Sequence, residues 1–139
     1  MAETSLAYEK QQKGDSEAMK IDHVGLYVND LEGARDFFEK YFGGKSGSMY
    51  HNHVTGLSTY FVTLGGGTRI ELMNKPDVTA TSNGMHIAIN VGSKKAVDEK
   101  TAMLREAGFE VLDGPRTTGD GYYESSVEIF EELRIELTE

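Results

Sequence analysis

The phrase RIEL occurs twice in this chain, at Arg69 to Leu72 and at Arg134 to Leu137, and each copy closes a segment that opens on a strand-like run beginning with His. The openings are HVGLYV from His23 and HIAINV from His86, so that 48 residues separate His23 from Glu71 and 50 separate His86 from Glu136. Agreement at both ends marks an internal duplication with a period of about sixty residues. The chain looks like two copies of one module, which can pair within one chain or across two.

The order of elements is the same in each copy. In the first, the strand is followed by Asn29 and Asp30, both good N-cap residues, and then by LEGARDFFEKYF, where Leu31, Ala34, Phe37, Phe38 and Tyr41 share a helical face and Gly43 supplies the stop. A loop through SMYHNHVTG leads to the strand STYFVTL, the turn GGGT and the strand RIELM. In the second copy, Ser93 caps KKAVDEKTAMLREAG, with Val97, Leu104 and Ala107 as expected core positions and Gly108 as the stop. Strands FEVL, YYESSVEIF and RIELTE follow. The pattern predicts an α+β domain over 20–139, made of module one at 20–78 and module two at 83–139. Residues 1–19 are polar without sustained apolar periodicity and are expected to form a flexible extension.

Composition limits the chemistry. With 139 residues and no cysteine, one domain has room for a real core, and any metal must be held by His and carboxylates. The formal net charge of -9, without a Lys/Arg block, argues against a nucleic-acid or anionic-membrane partner. No apolar run reaches the roughly 20 residues of a membrane span, and the N-terminus lacks the apolar centre of a secretory signal, so a cytoplasmic location is expected.

Strand alternation sharpens the duplication. His23, Gly25 and Tyr27 share one face of their strand, while Val24, Leu26 and Val28 face the helix. By the same rule Glu71, His86 and Glu136 stand opposite apolar neighbours. Any one of them could be a solvated residue on a half-exposed sheet, but a solvated face gives no reason for His at the start and Glu at the end of both modules. Two His and two Glu suit a borderline divalent metal such as zinc, nickel, cobalt, manganese or iron(II).

These residues resemble the vicinal oxygen chelate superfamily, the glyoxalase/bleomycin resistance/dioxygenase proteins, over 20–139. The resemblance implies paired βαβββ modules curled into a half-open barrel. The glyoxalase I (lactoylglutathione lyase) pattern takes His and Glu from each module, matching His23, Glu71, His86 and Glu136, and TGDGYYES at Thr118 to Ser125 looks like a loop and strand of that branch. Two features depart from it: Tyr27 stands where glyoxalase I commonly carries an Arg that helps bind glutathione, and FEELR replaces the usual turn before the last strand. The implied activity is that of a lyase or isomerase on a small carbonyl or hemithioacetal, through an enediolate whose charge a divalent metal stabilises. Glu136 is the implied base, with Glu71 the alternative. Other superfamily chemistries, epimerase or extradiol dioxygenase, and a non-catalytic drug-binding protein of the bleomycin-binding type are the rivals. Modules of glyoxalase I-like members pair across a dimer, so a homodimer is expected.

Among the remaining residues, Tyr27, Tyr123 and Glu124 are expected to bind substrate; Tyr122 could line the same pocket from the TGDGYYES loop, and the tyrosines Tyr122 and Tyr123 could equally pack on a strand face. His51 and His53 fall in a loop and read as surface residues. The GGG at 65–67 is a hairpin turn, since no Lys-Ser/Thr or following helix completes a phosphate loop.

Overall fold

The structure, a computed structural model, describes residues 5–10 and 19–139. Residues 5–10 are helical and exposed throughout; apart from these and Met19, the expected N-terminal extension lies outside the described residues. Module one comprises β1 (His23–Tyr27), α1 (Leu31–Phe42), the short β2 (Lys45–Ser46) and β3 (Tyr50–His51), β4 (Ser58–Thr63) and β5 (Arg69–Asn74). Module two comprises β6 (His86–Asn90), α2 (Lys94–Glu106), β7 (Glu110–Thr117), β8 (Tyr123–Glu128) and β9 (Arg134–Thr138). Each forms its own sheet, in the orders β1-β5-β4-β2, with β3 beside β4, and β6-β9-β8-β7.

Both helices start where the sequence provides an acceptor. Asp30 Oδ1 accepts from Gly33 N at 2.9 Å and Ser93 Oγ from Ala96 N at 3.1 Å, each satisfying a backbone donor that the first helical turn leaves open. Gly43 ends α1 at φ 62°, a left-handed conformation that only glycine adopts without strain. The apolar stripe of α1 (Ala34, Phe37, Phe38, Tyr41) is buried as its spacing predicts. In α2 the core positions are Val97, Thr101 and Leu104. Ala107, expected in the core, is instead the exposed C-cap, because the helix ends before another turn can carry it inward. Thr101 fits the core by spending its hydroxyl on Val97 O (2.6 Å) and Ser125 Oγ (2.7 Å), which removes the cost of burying it.

The two modules share one core, and its centre is on their helix sides. Phe37 of α1 meets Phe109 and Phe130 of module two at ring distances of 5.1 and 5.4 Å, and Lys100 of α2 donates to Tyr41 O at 2.5 Å. Glu131 ties the modules again: its Oε1 accepts from Asn29 N at 3.1 Å and its carbonyl accepts from Ser82 N at 2.8 Å. In the turn before β9, Glu131 and Glu132 both have positive φ, 52° and 61°. The FEELR turn therefore keeps β9 in register through left-handed geometry that these residues do not themselves favour.

With the helix sides occupied, the opposite faces of both sheets are left to water. These are the faces that carry the His and Glu residues singled out by the duplication.

Candidate functional site

Each half of the site is a consequence of strand register. β1 lies parallel to β5 with His23 opposite Arg69 and Gly25 opposite Glu71; β6 lies parallel to β9 with His86 opposite Arg134 and Ala88 opposite Glu136. The small residue facing each Glu leaves room for the His two positions earlier to lean across. His23 Nε2 stands 3.9 Å from Glu71 Oε2, and His86 Nε2 stands 3.7 Å from Glu136 Oε2. Both gaps exceed a hydrogen bond. Two ligand atoms bound at about 2.0–2.2 Å to one tetrahedral ion stand about 3.4 Å apart, so either pair would reach a single metal by closing a few tenths of an ångström. In chemistry the four side chains suit a divalent ion, and each His–Glu pair by itself comes close to sharing one.

Within one chain the four do not converge. Among the described residues no group of three or more His, Cys, Asp or Glu side chains is placed to hold a metal. Glu71 opens onto a cavity of about 340 Å³ in module one, while His86 and Glu136 open onto one of about 390 Å³ in module two, with no lining residue in common.

The two halves differ in their walls. In module one Phe61 is the cross-strand partner of Glu71; His23 meets its ring edge-on at 5.2 Å, and the Arg69 guanidinium lies 4.7 Å from the ring centre. Asp22 Oδ2 is 2.8 Å from His23 Nδ1 and 2.5 Å from Arg69 Nη2. The hydrogen bonds from His23 and from Arg69, in that order, hold the Asp22 carboxyl below the usual carboxylate range. In module two Ser126 faces Glu136, and the cavity is lined by Asp120, Tyr122 and Glu124. Burial, then repulsion from Glu136 and Asp120, pushes the Glu124 carboxyl above its ordinary range.

Glu124 lines the module-two cavity beside His86 and Glu136. Tyr27 shares the face of His23, opposite Met73. Tyr123 does not lie at the site: it is turned to the helix side, where its hydroxyl donates to Asp98 on α2 at 2.5 Å and its ring packs against the core. Tyr122 takes the pocket position instead, because β8 alternates with Glu124 on the site face and Tyr123 on the other. His51 and His53 stack edge-on at 4.7 Å, and His51 Nδ1 lies 2.7 Å from Ser58 Oγ; they join no metal-holding cluster among the described residues. Asp22, Phe61 and Asp120 were not foreseen. The signal for Asp22 was present, an acid directly before His23 with an Arg at the start of RIEL.

The model of the Glyoxalase/Bleomycin resistance protein/Dioxygenase superfamily matches residues 20–132, which take in both helices and eight of the nine strands. The chain belongs to this superfamily. The protein YqjT of Bacillus subtilis (strain 168) is 30% identical, the alignment covering 84% of this chain and 96% of that protein. A possible glyoxalase from Bacillus cereus superposes with a TM-score of 0.68 at 29% identity, covering 87% of this chain and 99% of that one. A mutant of the fosfomycin resistance protein FosX from Listeria monocytogenes, complexed with Mn(II) and 1S,2S-dihydroxypropylphosphonic acid, gives a TM-score of 0.68 at 20% identity over 87% of this chain and 92% of that one. Superfamily membership accounts for the two tandem modules. Among the described residues no helix is long and apolar enough to cross a membrane.

Proposed function

We propose that the protein is a divalent-metal-dependent enzyme of the glyoxalase I-like lyase or isomerase type, acting on a small carbonyl or hemithioacetal substrate. The observation that carries this reading is the identical placement of two His–Glu pairs, His23 with Glu71 and His86 with Glu136, in the same register of two modules. Each pair supplies half of a four-ligand set. Their outward faces and shared helix-side core support completion of the set by a second copy, as a homodimer in which His23 and Glu71 of one protomer meet His86 and Glu136 of the other. The Mn(II) held by the FosX fold neighbour supports an ion of this class, with zinc or nickel foremost here.

A divalent ion bound there would supply Lewis-acid stabilisation of charge developing on a substrate oxygen. The chain's own residues do the rest. Glu136 takes the proton from the carbon beside the carbonyl and returns it to the neighbouring carbon, with Glu71 the alternative base. Glu124 faces the same cavity as Glu136 and borders the space left for the substrate. Tyr122 on this wall and Tyr27 in the other module bound the space left for the substrate.

The test is metal analysis of chelator-treated, reloaded protein, wild type beside His86→Ala, followed by turnover of hemithioacetals by wild type and Glu136→Gln. One metal per four-ligand site, lost or weakened in His86→Ala, with turnover abolished in a Glu136→Gln protein that keeps its metal, is the expected result. No uptake of zinc, nickel, cobalt or manganese by the wild type would overturn the reading and favour a binding protein.

A further inference from the structure

The two half-sites are alike in ligands and unlike in what holds them. Among the described residues His86 has no hydrogen-bonding partner on Nδ1: the residue before it is Met85, and the strand facing Glu136 offers Ser126. Its side chain is 57% exposed against 39% for His23. His23 is braced by a chain of contacts. Phe61 carries the Arg69 guanidinium on its face, Arg69 grips Asp22 at 2.5 Å, and the same Asp22 oxygen meets His23 Nδ1 at 2.8 Å. The opposite ring nitrogen, Nε2, is the one turned to Glu71.

The chemistry of imidazole makes this arrangement directional. A neutral ring has one N–H and one lone pair, and a carboxylate can only accept, so a partner at Nδ1 fixes the proton there and leaves the lone pair on Nε2. We infer that Asp22, braced by Arg69, is a positioning residue that locks His23 in the Nδ1–H tautomer and presents Nε2 beside Glu71. This rests on the reading of His23 as a metal ligand only for its functional consequence; the tautomer itself is a property of the metal-free chain. Module two lacks the device, so His86 is the freer ligand of the two.

The experiment is long-range ¹⁵N–¹H correlation on the metal-free, full-length protein at a pH above the range in which histidine is protonated. In the wild type His23 should show the Nδ1–H pattern and His86 a mixture of tautomers. Asp22→Ala should move His23 to a mixture, while Asp22→Asn, whose amide oxygen can still accept, should largely restore the wild-type pattern. Asp22 is 64% exposed, so the alanine variant should keep its fold, and unchanged dispersion of the remaining amide signals verifies that. Titration with Co(II) or Zn(II) should show affinity reduced about 10–100-fold by Asp22→Ala, the usual cost of losing the carboxylate behind a ligating histidine. A His23 tautomer unmoved by Asp22→Ala overturns the assignment. If the wild type takes up no metal while the tautomer still depends on Asp22, the positioning stands and the metal reading falls instead.

Discussion

Glu132 is a test of how backbone geometry alone contributes to this fold. It sits at φ 61° with an exposed side chain that makes no hydrogen bond or ion pair among the described residues, directly before the buried Leu133 that leads into β9. A non-glycine residue in this region costs about 1–2 kcal/mol. Glycine removes that cost but brings roughly 0.4–1 kcal/mol of extra unfolded-state entropy. Glu132→Gly should therefore stabilise the protein by about 0.5–1 kcal/mol, which for a domain of this size is a rise in Tm of roughly 2–5 °C. Glu131→Gly is the control. Its φ is nearly the same, 52°, but Glu131 Oε1 accepts from Asn29 N across the modules. That variant gives up a charge-assisted hydrogen bond and should fall below Glu132→Gly by about 1 kcal/mol or more, a loss reduced to the extent that the second, unpartnered Glu131 oxygen is no longer buried. Differential scanning calorimetry and urea titration of the two variants measure the difference. Loss of stability in Glu132→Gly, or equal shifts in both, would refute the reasoning.

If the ligand set is completed across a homodimer, adding zinc or nickel should tighten it, each site contributing about 2.7 kcal/mol at a metal concentration 100 times Kd; a sedimentation profile that ignores metal, in a protein shown to bind it, would count against that arrangement. Thr101→Val should cost about 1–3 kcal/mol in denaturant unfolding, because it strands the buried Ser125 hydroxyl. Glu124 has its folded-state pKa raised, so its ionised form opposes folding, and that penalty is present above the folded pKa and disappears as pH falls through it. Glu124→Gln should accordingly be more stable than wild type at neutral pH, with the gap closing as the solution is acidified through the carboxylate range; a gap independent of pH would be contrary to the burial argument.

Much of this was legible in the sequence because it is either local or periodic. Asp30 and Ser93 act on donors three residues away, and strand alternation alone places His23, Glu71, His86 and Glu136 off the core faces. What was not legible depends on distance or on a single step of phase. Asp22 and Arg69 are 47 residues apart and meet only through the parallel register of β1 and β5. Tyr122 and Tyr123 differ by one position, and the parity of β8 cannot be set without knowing where the preceding turn ends. Ala107 failed by a partial turn at a helix end, where a periodic stripe has no means of announcing that the helix is over. The turn at Glu131 and Glu132 was hidden because its residues are not those that usually signal left-handed geometry.

The unequal walls have a stereochemical consequence. A ligand set that repeats His and Glu by duplication is close to symmetric, and symmetric ligands alone cannot tell the two ends of a bound molecule apart. Phe61 opposite Glu71 and Ser126 opposite Glu136 break that equivalence, one wall aromatic, the other polar and acidic. On the proposed function, a substrate held between such halves would have one favoured orientation and would present one prochiral face to each glutamate. Handedness in the product would then come from the walls, with the ligands themselves indifferent to it.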